Sequence, residues 1–171
     1  MNQPSLTAIN QLDQAQFVAL LGGIYELSPW IAQRAWAQRP FASVAALRGA
    51  LARSLDSASE AEKLAVLRAH PELAGKAAIR NELTEESRKE QGGAGLDQCS
   101  PEEFAQLQAA NRAYSARFGF PFIIAVKGLG RAQIISALTR RLESSREMEF
   151  AEALAQVHRI AGFRLADKVG D

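Results

Sequence analysis

His70 stands directly before Pro71 in the stretch Arg-Ala-His-Pro-Glu-Leu-Ala-Gly-Lys, Arg68 to Lys76, and it is one of two histidines in the chain. A proline disfavours helical geometry in the residue before it. The helix that carries Leu64 and Leu67 is therefore expected to end at His70, with the imidazole projecting from its C-terminal end. The helix dipole favours a proton there, and imidazole is the side chain that exchanges one near neutrality. Further along, Ser87, Glu90 and Gln91 recur at i, i+3 and i+4, so a helix would place a hydroxyl, a carboxylate and an amide on one face. Leu83 and Ala94 extend that stripe, while Glu85, Glu86, Arg88 and Lys89 lie on the other faces. Two readings stand side by side: a cap and a fully exposed helix, or a proton-transfer residue and the polar wall of a pocket.

Helices must position these groups. Asp13 caps a helix over Gln14 to Leu21. Ser28-Pro29 reads as a capping hydroxyl followed by proline at the first helical position, starting a helix that carries Trp30, Ile31, Arg34 and Trp36 and stops at Pro40. Both tryptophans read as packing residues. Ser43 starts a third helix through Leu47, Leu51 and Leu55, and Ser59 with Glu62 forms a capping box for a fourth. Thr84 caps a fifth, which breaks at Gly92-Gly93. Ser100-Pro101-Glu102-Glu103 starts a sixth, through Phe104, Leu107, Asn111 and Tyr114 to about Gly119. Two further helices are expected after Gly128 and Gly130, about Arg131 to Glu143 and Ser145 to Lys168.

Between these lies Phe120 to Val126, a short apolar run that alone reads as a buried strand. No second convincing strand exists to pair with it, so its peptide groups must bond to loops, water or a ligand. The expectation is an all-α, single-domain bundle over residues 1–171, with about eight helices and one irregular extended segment near 120–127; the first dozen residues read as loose, with Leu6, Ile9 and Leu12 able to pack against the body.

Composition narrows the functional classes. The chain has 171 residues, 47% hydrophobic and 23% charged, with a formal net charge of +1. That suits one soluble core and gives no strong field for nucleic acid or an acidic membrane. Basic pairs such as Arg140-Arg141 read as solvated helix faces. The lone cysteine, Cys99, forms no internal disulfide and fits a reducing compartment. Two histidines and one cysteine give no zinc-type ligand set. No apolar run reaches the length of a transmembrane helix. The start lacks the basic and apolar blocks of a signal peptide, and the end is no peroxisomal address. A cytoplasmic protein is expected.

Three blocks then carry a resemblance: His70 to Lys76 (His-Pro-Glu-Leu-Ala-Gly-Lys), Ser87 to Asp97 (Ser-Arg-Lys-Glu-Gln-Gly-Gly-Ala-Gly-Leu-Asp) and Phe118 to Ile124 (Phe-Gly-Phe-Pro-Phe-Ile-Ile). In that order, with Ser28-Pro29-Trp30 upstream, they resemble the signature blocks of the OHCU decarboxylases, over about Phe17 to Leu165. OHCU is 2-oxo-4-hydroxy-4-carboxy-5-ureidoimidazoline, the last unstable intermediate between urate and allantoin. The family often has aspartate where Glu72 stands, a departure that keeps the charge.

The resemblance implies an all-helical fold, a homodimer and decarboxylation without cofactor or metal. It makes His70 the catalytic histidine and Glu90 its partner carboxylate. It gives substrate contacts to Pro71, to Ser87, Arg88, Lys89, Glu90 and Gln91, and, through backbone atoms, to Phe122, Ile123, Ile124, Ala125 and Val126. Arg164 matches an active-site arginine in less distinctive surroundings, where a surface position on the last helix is the other reading. The residues suit the substrate. The ring can take up the electron pair left by departing carbon dioxide as an enolate, so no pyridoxal, thiamine or metal sink is required. His70 would deliver the proton, Glu90 would orient and charge the imidazole, and Arg164 would hold an anion. Peptide groups and the amide of Gln91 would read the ring edge. Two rivals remain: a hydrolase or hydratase acting on a related heterocycle, which releases no carbon dioxide, and a non-catalytic helical binding module.

Overall fold

The computed structural model describes residues 3–170; Met1, Asn2 and Asp171, at the two ends read for targeting signals, lie outside them. The chain is all-α. Its helices are α1 (Leu6–Asn10), α2 (Gln14–Leu21), α3 (Trp30–Trp36), α4 (Val44–Asp56), α5 (Glu60–Ala69), α6 (Lys76–Ile79), α7 (Glu85–Gly93), α8 (Pro101–Phe118), α9 (Arg131–Arg141) and α10 (Arg146–Ala166), with a 3-10 turn at Leu96–Gln98. Among the described residues no strand forms; a single parallel bridge joins Ser5 and Gly170. None of these helices is long and apolar enough to cross a membrane. Packing divides the chain into two compact units, one of Met1–Ala69 with His158–Asp171 and one of His70–Val157.

Local chemistry starts most helices where the sequence puts it. Asp13 and Gln16 form a reciprocal capping box on α2, Ser43 caps α4 and Thr84 caps α7. Ser59 and Glu62 bond reciprocally at the start of α5, and Ser100 with Glu103 does so on α8, with Pro101 in the first turn. Two boundaries differ from expectation. The Ser28 hydroxyl turns back to donate to the Glu26 carbonyl at 2.8 Å, so it does not cap, and α3 starts after Pro29 with no side-chain cap. Gly92 and Gly93 remain helical; the break falls at Gly95, whose φ of +73° is the left-handed geometry that glycine tolerates.

In the first unit α2 packs on α3 and α3 on α4, around buried Phe17, Ile31, Leu47 and Leu55. The stretch expected to be loose contains α1. Ile9 is buried, and the Asn10 amide brackets the Phe41 peptide, accepting from its N–H at 2.8 Å and donating to its carbonyl at 2.9 Å. Trp36 donates to the Leu12 carbonyl under the Arg39 guanidinium, 4.0 Å from its ring, as befits a packing residue. His158 links Tyr25 and Asp56, each at 2.8 Å.

The second unit is built on α8 and α9. Tyr114 lies at the centre of a ring cluster, 4.6 Å from Phe118, 5.4 Å from Phe122 and 6.1 Å from Phe120. Its hydroxyl donates to Glu149, which also accepts from Arg141 Nε at 2.8 Å. This ion pair is buried on both sides. Removing one partner of such a pair costs about 3–5 kcal/mol, because the other charge is left in a dry site.

Both tyrosines of the chain are buried. Burial pushes the Tyr25 phenol far above its ordinary 10.0, with the Asp56 charge adding to the shift and Arg48 opposing it. Burial raises Tyr114 likewise, helped by its hydrogen bond to Glu149. A phenol that holds its proton more tightly when folded contributes stability that is full below the unfolded value and fades as pH rises past it. Phenolate absorbance of the native protein is therefore expected to stay flat through pH 10 to 11, while the denatured chain shows two ordinary phenols. A native titration near 10 at either tyrosine would contradict this packing.

Candidate active site

The His70 segment does not lie idle at a helix end. Helix α5 ends at Ala69, as the proline after His70 requires. His70 is 7% exposed and its Nε2 is sealed from solvent. The turn that follows is held peptide by peptide. Gln91 accepts from the Ala74 N–H at 2.9 Å and donates to the Glu72 carbonyl at 3.4 Å. Asn111 donates to the Leu73 carbonyl at 2.9 Å, and Gln108 to the Ala74 carbonyl at 2.7 Å. The Ser115 hydroxyl donates to the Glu72 carboxylate. Ala74 is bent into the left-handed region, φ 51°, which costs a residue with a Cβ. Gly75 is needed for close approach: a Cβ there would stand 2.7 Å from Glu72 Cβ.

Helix α7 supplies one wall. Ser87 and Gln91 are 3% and 6% exposed, and Glu90 is half-buried. The exposed-helix reading is thus overturned: the inner stripe is polar and packed inward. Arg88 and Lys89 lie on the exposed side, where Arg88 reaches the Leu83 carbonyl. The Gln91 amide, expected to face substrate, bonds to the turn with both its oxygen and its nitrogen. Through it α7 is fastened to the backbone just beyond His70 and Pro71.

The apolar run 120–126 is the second non-helical piece, and side chains take two of its peptide groups. Arg141 Nη1 donates to the Ile123 carbonyl at 2.6 Å. The Ala125 N–H donates to Gln156 at 2.9 Å, and the Val126 carbonyl accepts from Leu129 in a turn. Arg141 also lies over the Phe122 ring, 4.6 Å from its centre. Its Nη2 has no hydrogen-bond partner among the described residues. Phe122, Ile123, Ala125 and Val126 are buried, and Ile124 is half-exposed. Ile124 helps line a shallow depression of about 520 Å³ along α9, with Gln133, Ser136 and Arg140 among its other walls.

Arg141 corrects an expectation. Read as part of a solvated basic pair, it is 6% exposed. The signal was present: Ile134, Leu138 and Arg141 stand at i, i+4 and i+7 on the inward stripe of α9. Gln108, Asn111 and Ser115 also serve the site, and i, i+3 and i+7 put them on one face of α8. Nothing in the pattern marked Gln156.

Arg164 belongs to the first unit. It is buried rather than on the surface, at 4% exposure. Its Nη1 donates to Glu26 at 2.7 Å and to the Gly23 carbonyl at 3.2 Å. Among the described residues no group of three or more His, Cys, Asp or Glu side chains is placed to hold a metal ion.

Chemically, the second unit offers a buried imidazole on a pinned turn, a half-buried carboxylate on a fastened helix, and a non-helical backbone segment tied by side chains. Comparison with known proteins identifies the family. Residues 10–166 match the family model described as OHCU decarboxylase. A 2-oxo-4-hydroxy-4-carboxy-5-ureidoimidazoline decarboxylase of Haloferax volcanii is 44% identical over 168 residues, 98% of either chain. A uric acid degradation bifunctional protein of Bacillus subtilis is 41% identical over 159 residues, 93% of this chain and 31% of that longer one. Among solved structures, the crystal structure of an (S)-allantoin synthase superposes with a TM-score of 0.75 at 28% identity, covering 96% of this chain and 54% of that one. With the three sequence blocks inside the matched span, the chain belongs to the OHCU decarboxylase family.

Proposed function

We infer that this chain converts OHCU to (S)-allantoin and carbon dioxide, with His70 as the acid that completes the reaction. Membership of the family supports the activity. The observation that carries the residue assignment is the buried imidazole of His70, ahead of a turn fastened to α7 through Gln91. The bond between the ring carbon and the carboxylate breaks, and carbon dioxide leaves. The electron pair passes into the unsaturated ring, giving an enol-type intermediate. A proton from the His70 imidazolium enters at the ureido-bearing carbon, the ring hydroxyl becomes a carbonyl as its proton passes to the ring nitrogen that took the electron pair, and delivery to one face sets the hand of the product. The imidazole regains its proton before the next turnover. The flat ring itself holds the electron pair between these steps, so the residues' task is positioning and proton delivery.

In this reading Glu90, on the same helix as Ser87 and Gln91, orients the imidazole and favours its charged form. Ser87 and the peptide groups of 122–126 other than the Ile123 carbonyl, the Ala125 N–H and the Val126 carbonyl, which bond within the protein, read the donors and acceptors of the ring, as Pro71 packs beside it. For Arg164, whose Nη1 bonds Glu26 and the Gly23 carbonyl, the family resemblance supports an anion-binding role. A grip equal in ground and transition states would tighten binding without speeding the chemistry. The proposal includes a homodimer, located in the cytoplasm.

Positioned acid catalysis is worth about 10²–10⁴-fold. With OHCU made in situ from urate, His70→Ala is expected to lose at least about 10²-fold in kcat with its helical content intact, and Glu90→Gln to lose activity in the same direction. The native enzyme should release carbon dioxide and give one enantiomer. Native-like turnover in His70→Ala would remove the histidine from the mechanism, and absence of carbon dioxide would favour a hydrolase. Sedimentation equilibrium is expected to give twice the mass of the chain; a monomer at micromolar concentration would contradict the dimer.

A further inference from the structure

The turn after His70 is held more firmly than a surface connection between helices requires. Three consecutive residues, Glu72, Leu73 and Ala74, have peptide groups bonded by side chains of α7 and α8. Loops commonly leave such groups to water. Here amides are spent on them, at a cost visible elsewhere: Asn111 is 1% exposed, and its Oδ1 is buried with no hydrogen-bond partner among the described residues. A buried carbonyl oxygen left without a donor is a penalty. Ala74, held in left-handed geometry, is a second penalty on the same turn. Strain of this kind persists where surrounding contacts over-determine the backbone, and it gathers at functional sites.

We propose that Gln108 and Asn111 are positioning residues for His70. The proposal rests on the assignment of His70 as the acid. Pro71 locks its own φ, so the backbone from Leu73 and Ala74 back to His70 has few free torsions. Fixing the carbonyls of Leu73 and Ala74 therefore fixes where the imidazole is delivered. Both donors sit on α8, an 18-residue helix with a reciprocal cap at its start. They form a rigid mount, one helical turn apart, that does not itself touch the reacting atoms. Gln91 fastens the same turn from α7, so the turn is gripped from two helices. Loss of the α8 grip frees Ala74 to relax out of its strained geometry, and the imidazole moves with it. A displacement of about 1 Å at a reacting group is worth about 10²-fold in rate.

The test is Gln108→Glu in the full chain. The two side chains have the same shape, but a carboxylate oxygen replaces the donor that faces the Ala74 carbonyl. Gln108 is half-buried, so the variant has access to water and is expected to fold. The readouts are kcat per folded molecule, KM, and the imidazole NMR signals. With two histidines in the chain, His158 serves as an internal reference for His70. Expected are a kcat lowered about 10- to 100-fold, a KM changed by less than about threefold, a moved His70 signal and an unmoved His158 signal. Gln108→Lys, which restores a donor, should recover most of the rate. Gln108→Met, similar in length without either polar group, provides the same comparison where the carboxylate prevents folding. Unchanged kcat in folded Gln108→Glu and Gln108→Met overturns the proposal, and so does a lowered kcat with the His70 signal unmoved. His70→Ala separates the two ideas: full activity there sinks the acid assignment, while the NMR shift still reports whether α8 sets the imidazole.

Discussion

Peptide groups removed from water must find partners, and in the second unit two non-helical stretches find theirs in side chains rather than in a sheet. Residues 72–74 bond to Gln91, Gln108 and Asn111. In the segment 120–126, Ile123 and Ala125 bond to Arg141 and Gln156. A helical protein is well suited to this, because a helix satisfies its own backbone and leaves its side chains free to serve another segment. Helix α8 does it twice. One face carries Gln108, Asn111 and Ser115 to the turn. Tyr114 packs on the rings of Phe120 and Phe122 and bonds the carboxylate that holds Arg141. A single rigid element thus supports both irregular pieces on which the proposed chemistry depends.

Much of this was legible from residue order. Capping pairs and prolines place the starts of α2, α4, α5, α7 and α8, because those interactions are local and span three or four residues. The end of α5 before Pro71 is local in the same sense. The polar stripe of α7 was visible as a pattern, but periodicity alone could not say whether it faced water or protein, since both give a helix without an apolar inner face. Burial of Ser87 and Gln91 decides it. The extended segment was recognised by its lack of any partner strand. Which side chains served it was hidden, because Arg141 and Gln156 lie 18 and 31 residues beyond the groups they bond.

Partners that the pattern does not show explain the remaining differences. Arg141 beside Arg140 looks like surface charge until Glu149 and the Ile123 carbonyl are brought to it. Gln91 looked like a group reserved for a ligand, yet its oxygen and nitrogen fasten the turn, which shifts its contribution from recognition toward placement. Ser28 looked like a cap, yet its hydroxyl donates backward. In each case the side chain has the expected chemistry and a different partner. Family membership, read first from three short blocks and then from the match over residues 10–166, says nothing of these partners; the geometry does.

Where the product lies decides whether His70 is the acid. A crystal structure of this protein with (S)-allantoin bound is the most direct measurement. The ring is predicted to rest within hydrogen-bonding reach of the His70 imidazole, beside Glu90, with its edge against the peptide groups of 122–126. A product molecule bound away from His70, or packed side chains filling the space between His70 and Glu90, would contradict it.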